Sequence, residues 1–206
     1  MRKTAKEYLN QTYILQSIEV EEADFKNPQS MTRVLIEHKK PTPDIVEDLT
    51  NYRSAQSYVD FIESNMSPDA IQQASSAATK VEPILKKLFD LETQKREEHR
   101  AKDPSKLTKE DILAAMPRKV EDAKRLKLIE KLMIANLDME SVEILSLNKE
   151  DFIQTQASVA YSSLTGDEIK LLTAFYSHPD VKRERQLYFY RTRHYMLVFE
   201  KLLSMS

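Results

Sequence analysis

The sequence predicts an all-α protein, a multi-helix bundle of about seven to ten helices. Only one glycine occurs in 206 residues, although tight turns between β-strands commonly need glycine. Alanine, leucine, glutamate and lysine, which favour helices, are plentiful. Apolar residues recur at spacings of three and four, and proline and hydroxyl residues stand where new helices would begin.

The composition excludes several classes of protein and site. The formal net charge is −2, with 31% charged residues, which predicts a mixed-sign surface and argues against nucleic acid as the partner. Cysteine is absent, so disulfides, thiolate nucleophiles and cysteine metal sites are excluded. No apolar run approaches the roughly 20 residues of a membrane span.

Four helices are predicted before the first long polar stretch. Their apolar residues fall at helical spacing, and Thr42 and Ser67 are suited to cap two of them. Pro83 is expected to kink the fourth helix or end it at Glu82, because proline lacks the backbone N–H that a helix interior requires. The predicted helices are 4–20, a short one from Pro28 to about His38, 43–63 and one from Pro68 to Glu82.

One stretch divides the chain by its polarity. Residues 92–106 contain a single apolar residue, Ala101. Such a stretch is typical of a polar linker, and its mixed charges would also support an exposed helix extension. We therefore predict an N-terminal helical unit over 1–91 and a C-terminal helical unit over 107–206.

Six further helices are predicted after the polar stretch. Amphipathic spacing and capping residues mark each of them. They are a short helix after Thr108, a long one from Pro117 to about Asn136, a short segment holding Val142 and Leu145, 149–162, one after Thr165, and the last from Pro179 to about Leu203.

The segment from Thr165 contains the clearest local signals. Thr165 and Glu168 form a predicted capping box, in which each side chain accepts a hydrogen bond from the backbone N–H of the other residue. Four apolar residues follow on one helical face: Ile169, Leu172, Phe175 and Tyr176. Pro179 then suits the first position of the next helix.

This segment resembles a bacterial helical domain family of unknown function that is common in exported proteins. The family motif is Thr-x-Glu-Glu-Leu-x-x-Leu-x-x-Phe-Tyr-x-Ser-Pro-x-Gly-x-Lys. The matching residues are Thr165, Asp167, Glu168, Ile169, Leu172, Phe175, Tyr176, Pro179 and, one place out of register, Lys182. His178 and Val181 stand where the motif has serine and glycine. The resemblance covers about residues 123–203 and implies a helical domain without a known activity.

The N-terminal residues are informative about the cellular compartment of the protein. Its first eight residues are basic at the start but lack the apolar segment of a signal peptide. We therefore expect either a cytoplasmic protein or a mature form whose signal has been removed. The family resemblance favours the mature form, in the periplasm or secreted.

The two halves contain similar segments. Residues 65–71 align with 163–169, and an amphipathic helix is predicted before each of them. Further upstream, residues 6–9 align with 127–130. Two degenerate helical repeats would explain these similarities. The alternative is that any helix capped by serine or threonine shows the same pattern without a repeat.

The sequence lacks the patterns of common catalytic and cofactor sites. Phosphate-binding loops use several glycines, and Gly166 is the only one. No glutamate lies three residues before any of the four histidines, so the Glu-x-x-His pattern of di-metal helical sites is missing. We expect no catalytic residue, no cofactor and no metal site, and hence no enzyme.

The last predicted helix is the one segment that suggests a function. Its arginines and tyrosines are residue types that protein interfaces favour. The alternative is a helix with an aromatic core face and a basic outer face. The candidate interaction surface comprises Arg183, Arg185, Tyr188, Arg191, Arg193 and Tyr195.

Three functional hypotheses follow from these observations. The first is a non-enzymatic interaction or scaffold protein that uses the last helix to bind an unidentified protein or a second copy of itself. The second is a binder of small apolar ligands, with a cavity lined by Tyr188, Tyr195, Phe152 and Phe175. The third is weak binding of an anionic polymer through the basic last helix.

Overall fold

The fold is entirely helical in the part of the chain that the computed structural model describes, residues 3–101, 108, 119–137 and 148–205. Eleven α-helices and no strand occur there, which confirms the all-α prediction. A π-helical segment, Gln156–Ala160, extends the ninth helix. The helices are α1 Ala5–Gln11, α2 Ile14–Lys26, α3 Met31–Lys39, α4 Pro43–Arg53, α5 Ala55–Asn65, α6 Pro68–Ala78, α7 Glu82–Ala101, α8 Ala123–Asn136, α9 Lys149–Thr155, α10 Gly166–Tyr176 and α11 Pro179–Ser204.

Two predicted helices are each divided in the structure. The helix predicted over 4–20 breaks before Tyr13, whose φ of 61° lies in the left-handed region. The helix predicted over 43–63 breaks at Ser54, which ends α4 and caps α5 by accepting a hydrogen bond from the Ser57 N–H. Neither break disturbs the apolar spacing, so periodicity alone did not reveal it.

Prolines and capping residues set several other bounds. α6 ends at Ala78, and Pro83 lies in the first turn of α7, where its missing N–H has no intrahelical partner to lose. α8 begins at Ala123 rather than Pro117, because the Asp122 carboxylate caps it by accepting hydrogen bonds from the N–H groups of Lys124 and Arg125. The helix predicted after Thr108 and the segment with Val142 and Leu145 lie outside the described residues.

Two compact units divide the chain differently from the predicted boundaries. One unit combines the chain up to Thr79 with the segment from Pro179, and the other is Lys80–His178. The last helix, predicted in the C-terminal unit, therefore belongs with the N-terminal helices. α7 continues to Ala101 through much of the predicted polar stretch, and Glu92 and Arg96 form an ion pair of 2.8 Å along it.

The first unit is held together by α1 packed on α6 and by α11 packed on α4. Tyr8 and Leu9 of α1 are fully buried. A second group of buried side chains joins α2, α4 and α11 and comprises Phe25, Leu49, Tyr195, Val198 and Leu202. Burial of these apolar groups is the main source of the unit's stability.

The second unit is built on α8 and α10, which pack closely against each other. Their facing residues Ile129, Leu132, Ile169 and Leu172 are fully buried. The capping box before α10 is confirmed: the Thr165 N–H donates to Glu168 Oε2 over 2.7 Å, and the Glu168 N–H donates to the Thr165 hydroxyl over 3.2 Å.

The aligned segments of the two halves have similar local structure. Ser67 caps α6, and Thr165 caps α10. Ile71 and Ile169 are both buried. Within its own unit, each capped helix packs on the helix that the alignment places upstream, α1 for α6 and α8 for α10. Two degenerate repeats remain a prediction, because hydroxyl caps and buried isoleucines also arise independently.

Candidate interaction surface

The last helix, α11, has one buried face and one exposed face within the first unit. The buried face follows helical spacing and packs on α4, α5 and α6. Its buried residues are Val181, Glu184, Leu187, Tyr195, Val198 and Leu202. The six residues predicted as an interaction surface are divided between these two faces.

The Arg191 side chain makes its contacts within the first unit. Its guanidinium donates hydrogen bonds to the carbonyl oxygens of Asn51, at 2.6 Å, of Tyr52, at 3.2 Å, and of Ser57, at 3.0 Å. The first two carbonyls lie at the C-terminal end of α4, where the helix dipole favours a positive charge. The guanidinium also lies over the Tyr58 ring at 5.4 Å from its centre. Arg191 therefore fastens α11 to α4 and α5.

Tyr195 is also an internal residue. It is buried and stacks on Tyr52 with 4.2 Å between the ring centres. Arg53 lies over the Tyr195 ring at 4.7 Å and donates to its hydroxyl over 3.3 Å. Tyr188 is half-buried and meets the Tyr58 ring edge-on at 6.1 Å. These aromatic contacts stabilise the unit and leave little of either tyrosine for a partner.

The remaining three arginines differ in exposure. Arg185 is half-buried and lies over the rings of Tyr188 and Phe189, at 4.9 and 5.1 Å. Arg183 and Arg193 are exposed. The predicted surface is therefore corrected: only two of its six residues are exposed, because the sequence does not show which arginines lie over neighbouring rings and helix ends.

The exposed face contains apolar residues that were not predicted as functional. Tyr190 is 70% exposed, Met196 47%, Leu197 53% and Leu203 50%. Arg193 and Glu200 are exposed between them. We call these six residues the outer face of α11. The sequence could have indicated this exposed face, because α11 has apolar residues on both sides and a single buried face needs fewer.

Glu184 is a buried carboxyl on the opposite face. It is fully buried, and the Tyr58 hydroxyl donates to Glu184 Oε1 over 2.5 Å, whereas Oε2 has no hydrogen-bond partner among the described residues. Burial raises the pKa of the Glu184 carboxyl, and the nearby Arg185 charge and the Tyr58 hydrogen bond oppose this rise. Burial also raises the pKa of Tyr58, and the Glu184 charge adds to that rise.

We expect Glu184→Gln to gain stability relative to the natural protein as the pH rises. The folded protein holds the Glu184 proton more tightly than the unfolded chain, so stability is lost between the ordinary carboxyl pKa of 4.5 and the raised value. The difference in free energy of unfolding should grow by up to about 1.4 kcal/mol per pH unit in this window. Urea denaturation at a series of pH values measures it. The exposed Glu63→Gln is the control, and a flat difference for Glu184→Gln would contradict the prediction.

The first unit offers little space beside the tyrosines proposed to line a ligand cavity. A cavity of about 10 Å³ lies among Tyr52, Tyr58, Tyr188 and Arg191, which is room for one water molecule. Phe152 and Phe175, the other residues of that hypothesis, belong to the second unit, where Phe175 is buried. An open cleft of about 310 Å³ in the first unit is lined by polar and charged side chains together with Phe25.

Two further features concern metal binding and membrane spans in the described ranges. No group of three or more histidine and acidic side chains there is arranged to hold a metal ion. None of the helices in those ranges has both the length and the apolar character that crossing a membrane requires.

Comparisons with known proteins give no family for this chain. No protein-family model, no curated protein and no solved structure matches it.

Proposed function

We propose that this protein is a non-enzymatic interaction or scaffold protein that presents the outer face of α11 to a protein partner. One observation carries the proposal: four large apolar side chains are exposed together on one side of α11, while its opposite side is fully used by the core. Exposed apolar groups that share one helical face are typical of helix-mediated binding. Arg193 supplies a charge of the type that such interfaces favour.

Two of the six lysine and arginine side chains of α11 are used inside the unit, which weakens the case for binding of an anionic polymer. The Arg191 guanidinium donates hydrogen bonds to backbone carbonyls, and Arg185 lies over two aromatic rings. A polymer of phosphates would be held mainly by exposed cations. The small apolar ligand is the weaker alternative as well, because the space beside Tyr188 is the size of one water molecule.

Site-specific photo-crosslinking in the cells of origin tests the proposal. A photoreactive residue at Leu197 should give covalent adducts with a protein, and the same residue at Leu171 should not. Leu171 is a matched control because it is also an exposed leucine on a helix, 43% exposed on α10. Arg193→Glu should reduce the yield of adducts. Adducts that are absent at Leu197, or that form equally at Leu171, would contradict the proposal.

We also propose a location in the periplasm or outside the cell, as a mature form. This proposal is supported only by the resemblance of residues 165–182 to the family motif. Fractionation of cells that express the complete gene tests it, with recovery in the periplasmic or extracellular fraction as the expected result. Exclusive recovery with the cytoplasmic fraction would contradict it.

A further inference from the structure

The outer face of α11 is complementary to itself. Arg193 and Glu200 lie seven residues apart on this face, and both are exposed. Tyr190 and Leu203 lie outside that pair, and Met196 and Leu197 lie inside it. The pairs 193 with 200, 190 with 203, and 196 with 197 all share one midpoint, between Met196 and Leu197.

We infer that the partner of this face is a second copy of the chain, bound through antiparallel pairing of two α11 helices about a two-fold axis. The inference rests on the proposed function. An axis through the midpoint places each Arg193 opposite the Glu200 of the other copy, while Tyr190 and Leu203 lie at the two edges of the face. Met196 and Leu197 of both copies then meet at the centre.

The charges select this arrangement over a parallel one. In a parallel pair, Arg193 would face Arg193 of the other copy, and Glu200 would face Glu200, so like charges would meet twice. In the antiparallel pair, two opposite-charge contacts flank an apolar centre. Charged residues beside an apolar seam determine orientation in the same way in coiled coils. The paired region from Tyr190 to Leu203 is about 20 Å long.

The arrangement also explains why this side of α11 is apolar. An antiparallel pair removes Tyr190, Met196, Leu197 and Leu203 from water in both copies at once, so each exposed apolar group contributes twice to the interface. A heterologous partner would need its own complementary surface, whereas the charge and apolar pattern of this face already supplies one.

Sedimentation equilibrium of the full chain over a wide range of concentrations tests the inference. We expect a monomer–dimer equilibrium that Leu197→Asp weakens at least tenfold, because it places two carboxylates beside the axis. Leu171→Asp is the matched control and should leave the dissociation constant unchanged. Circular dichroism should show the same helix content for all variants.

A charge exchange tests the antiparallel register directly. Arg193→Glu and Glu200→Arg should each weaken dimerisation at least fivefold, because each opposes like charges. The double variant Arg193→Glu/Glu200→Arg should return the dissociation constant to within about threefold of the natural value. In addition, the cysteine-free chain allows Arg193→Cys/Glu200→Cys to form a covalent dimer on oxidation, because these two positions face each other across the axis, whereas either single variant should not.

Each other outcome overturns the inference. A natural chain that stays monomeric, a dimer insensitive to Leu197→Asp, or a double variant no better than the single ones would exclude antiparallel pairing of α11. Photo-crosslinking separates this failure from failure of the proposed function. Adducts at Leu197 with a different protein, from a monomeric chain, would retain the interaction role and reject the second copy as partner. The absence of both dimer and adducts would reject the two together.

Discussion

Arg191→Ala is expected to lower the free energy of unfolding by about 3 kcal/mol. Arg191 donates to the carbonyls of Asn51, Tyr52 and Ser57, and its guanidinium lies over the ring of Tyr58. Alanine would remove these charge-assisted hydrogen bonds between helices together with the cation–π contact. Urea denaturation followed by far-UV circular dichroism measures the loss.

Arg183→Ala is the matched control for this prediction. It removes the same side chain from the same helix, but Arg183 is exposed and lies outside the outer face, so a change of no more than about 0.5 kcal/mol is expected. Arg191→Lys should recover only part of the stability, because an ammonium lacks the planar fork that reaches several carbonyls at once. Equal effects of Arg191→Ala and Arg183→Ala would show that Arg191 does not anchor α11.

Leu172→Ala is expected to destabilise the second unit by about 2–5 kcal/mol. Leu172 is fully buried between α10 and α8, beside Ile129, Leu132 and Ile169 in the same core. Truncation removes buried apolar area and leaves a cavity that close packing fills only in part. Thermal and urea denaturation should both report the loss, with helix content unchanged under native conditions.

The adjacent leucine provides the comparison. Leu171 is 43% exposed on the same helix, so Leu171→Ala removes the same atoms with much less loss of burial. We expect an effect below about 1 kcal/mol. A Leu172→Ala protein as stable as Leu171→Ala would mean that the apolar face of α10 has been assigned incorrectly.

Much of the fold could be predicted because it depends on local signals. The all-α class follows from composition and spacing, and the Thr165 cap with its buried Ile169 and Leu172 follows from residues within one helix. The breaks at Tyr13 and Ser54 were missed because apolar periodicity continues across them. The grouping of α11 with the N-terminal helices was missed because it depends on contacts between residues far apart in the chain.

The candidate site was predicted less well, for the same reason. The sequence identified α11 as unusual, but it did not separate Arg191, which binds the end of α4, from Arg193, which is exposed. It also gave no indication that Tyr195 would stack on Tyr52, more than a hundred residues earlier. Residue type favours an interface, whereas the direction in which each side chain points is decided by tertiary packing.

The joining of α11 to the first helices affects how the protein is made on the ribosome. Leu49 and Phe25 are covered by Tyr195, Val198 and Leu202, which are synthesised long after them. At about 5–20 residues per second, the synthesis of the chain from Leu49 to Tyr195 takes roughly 7–29 s, and the early helices lack this cover until then. Throughout that interval a nascent chain displays uncovered apolar side chains, and these are the surfaces that chaperones recognise during translation.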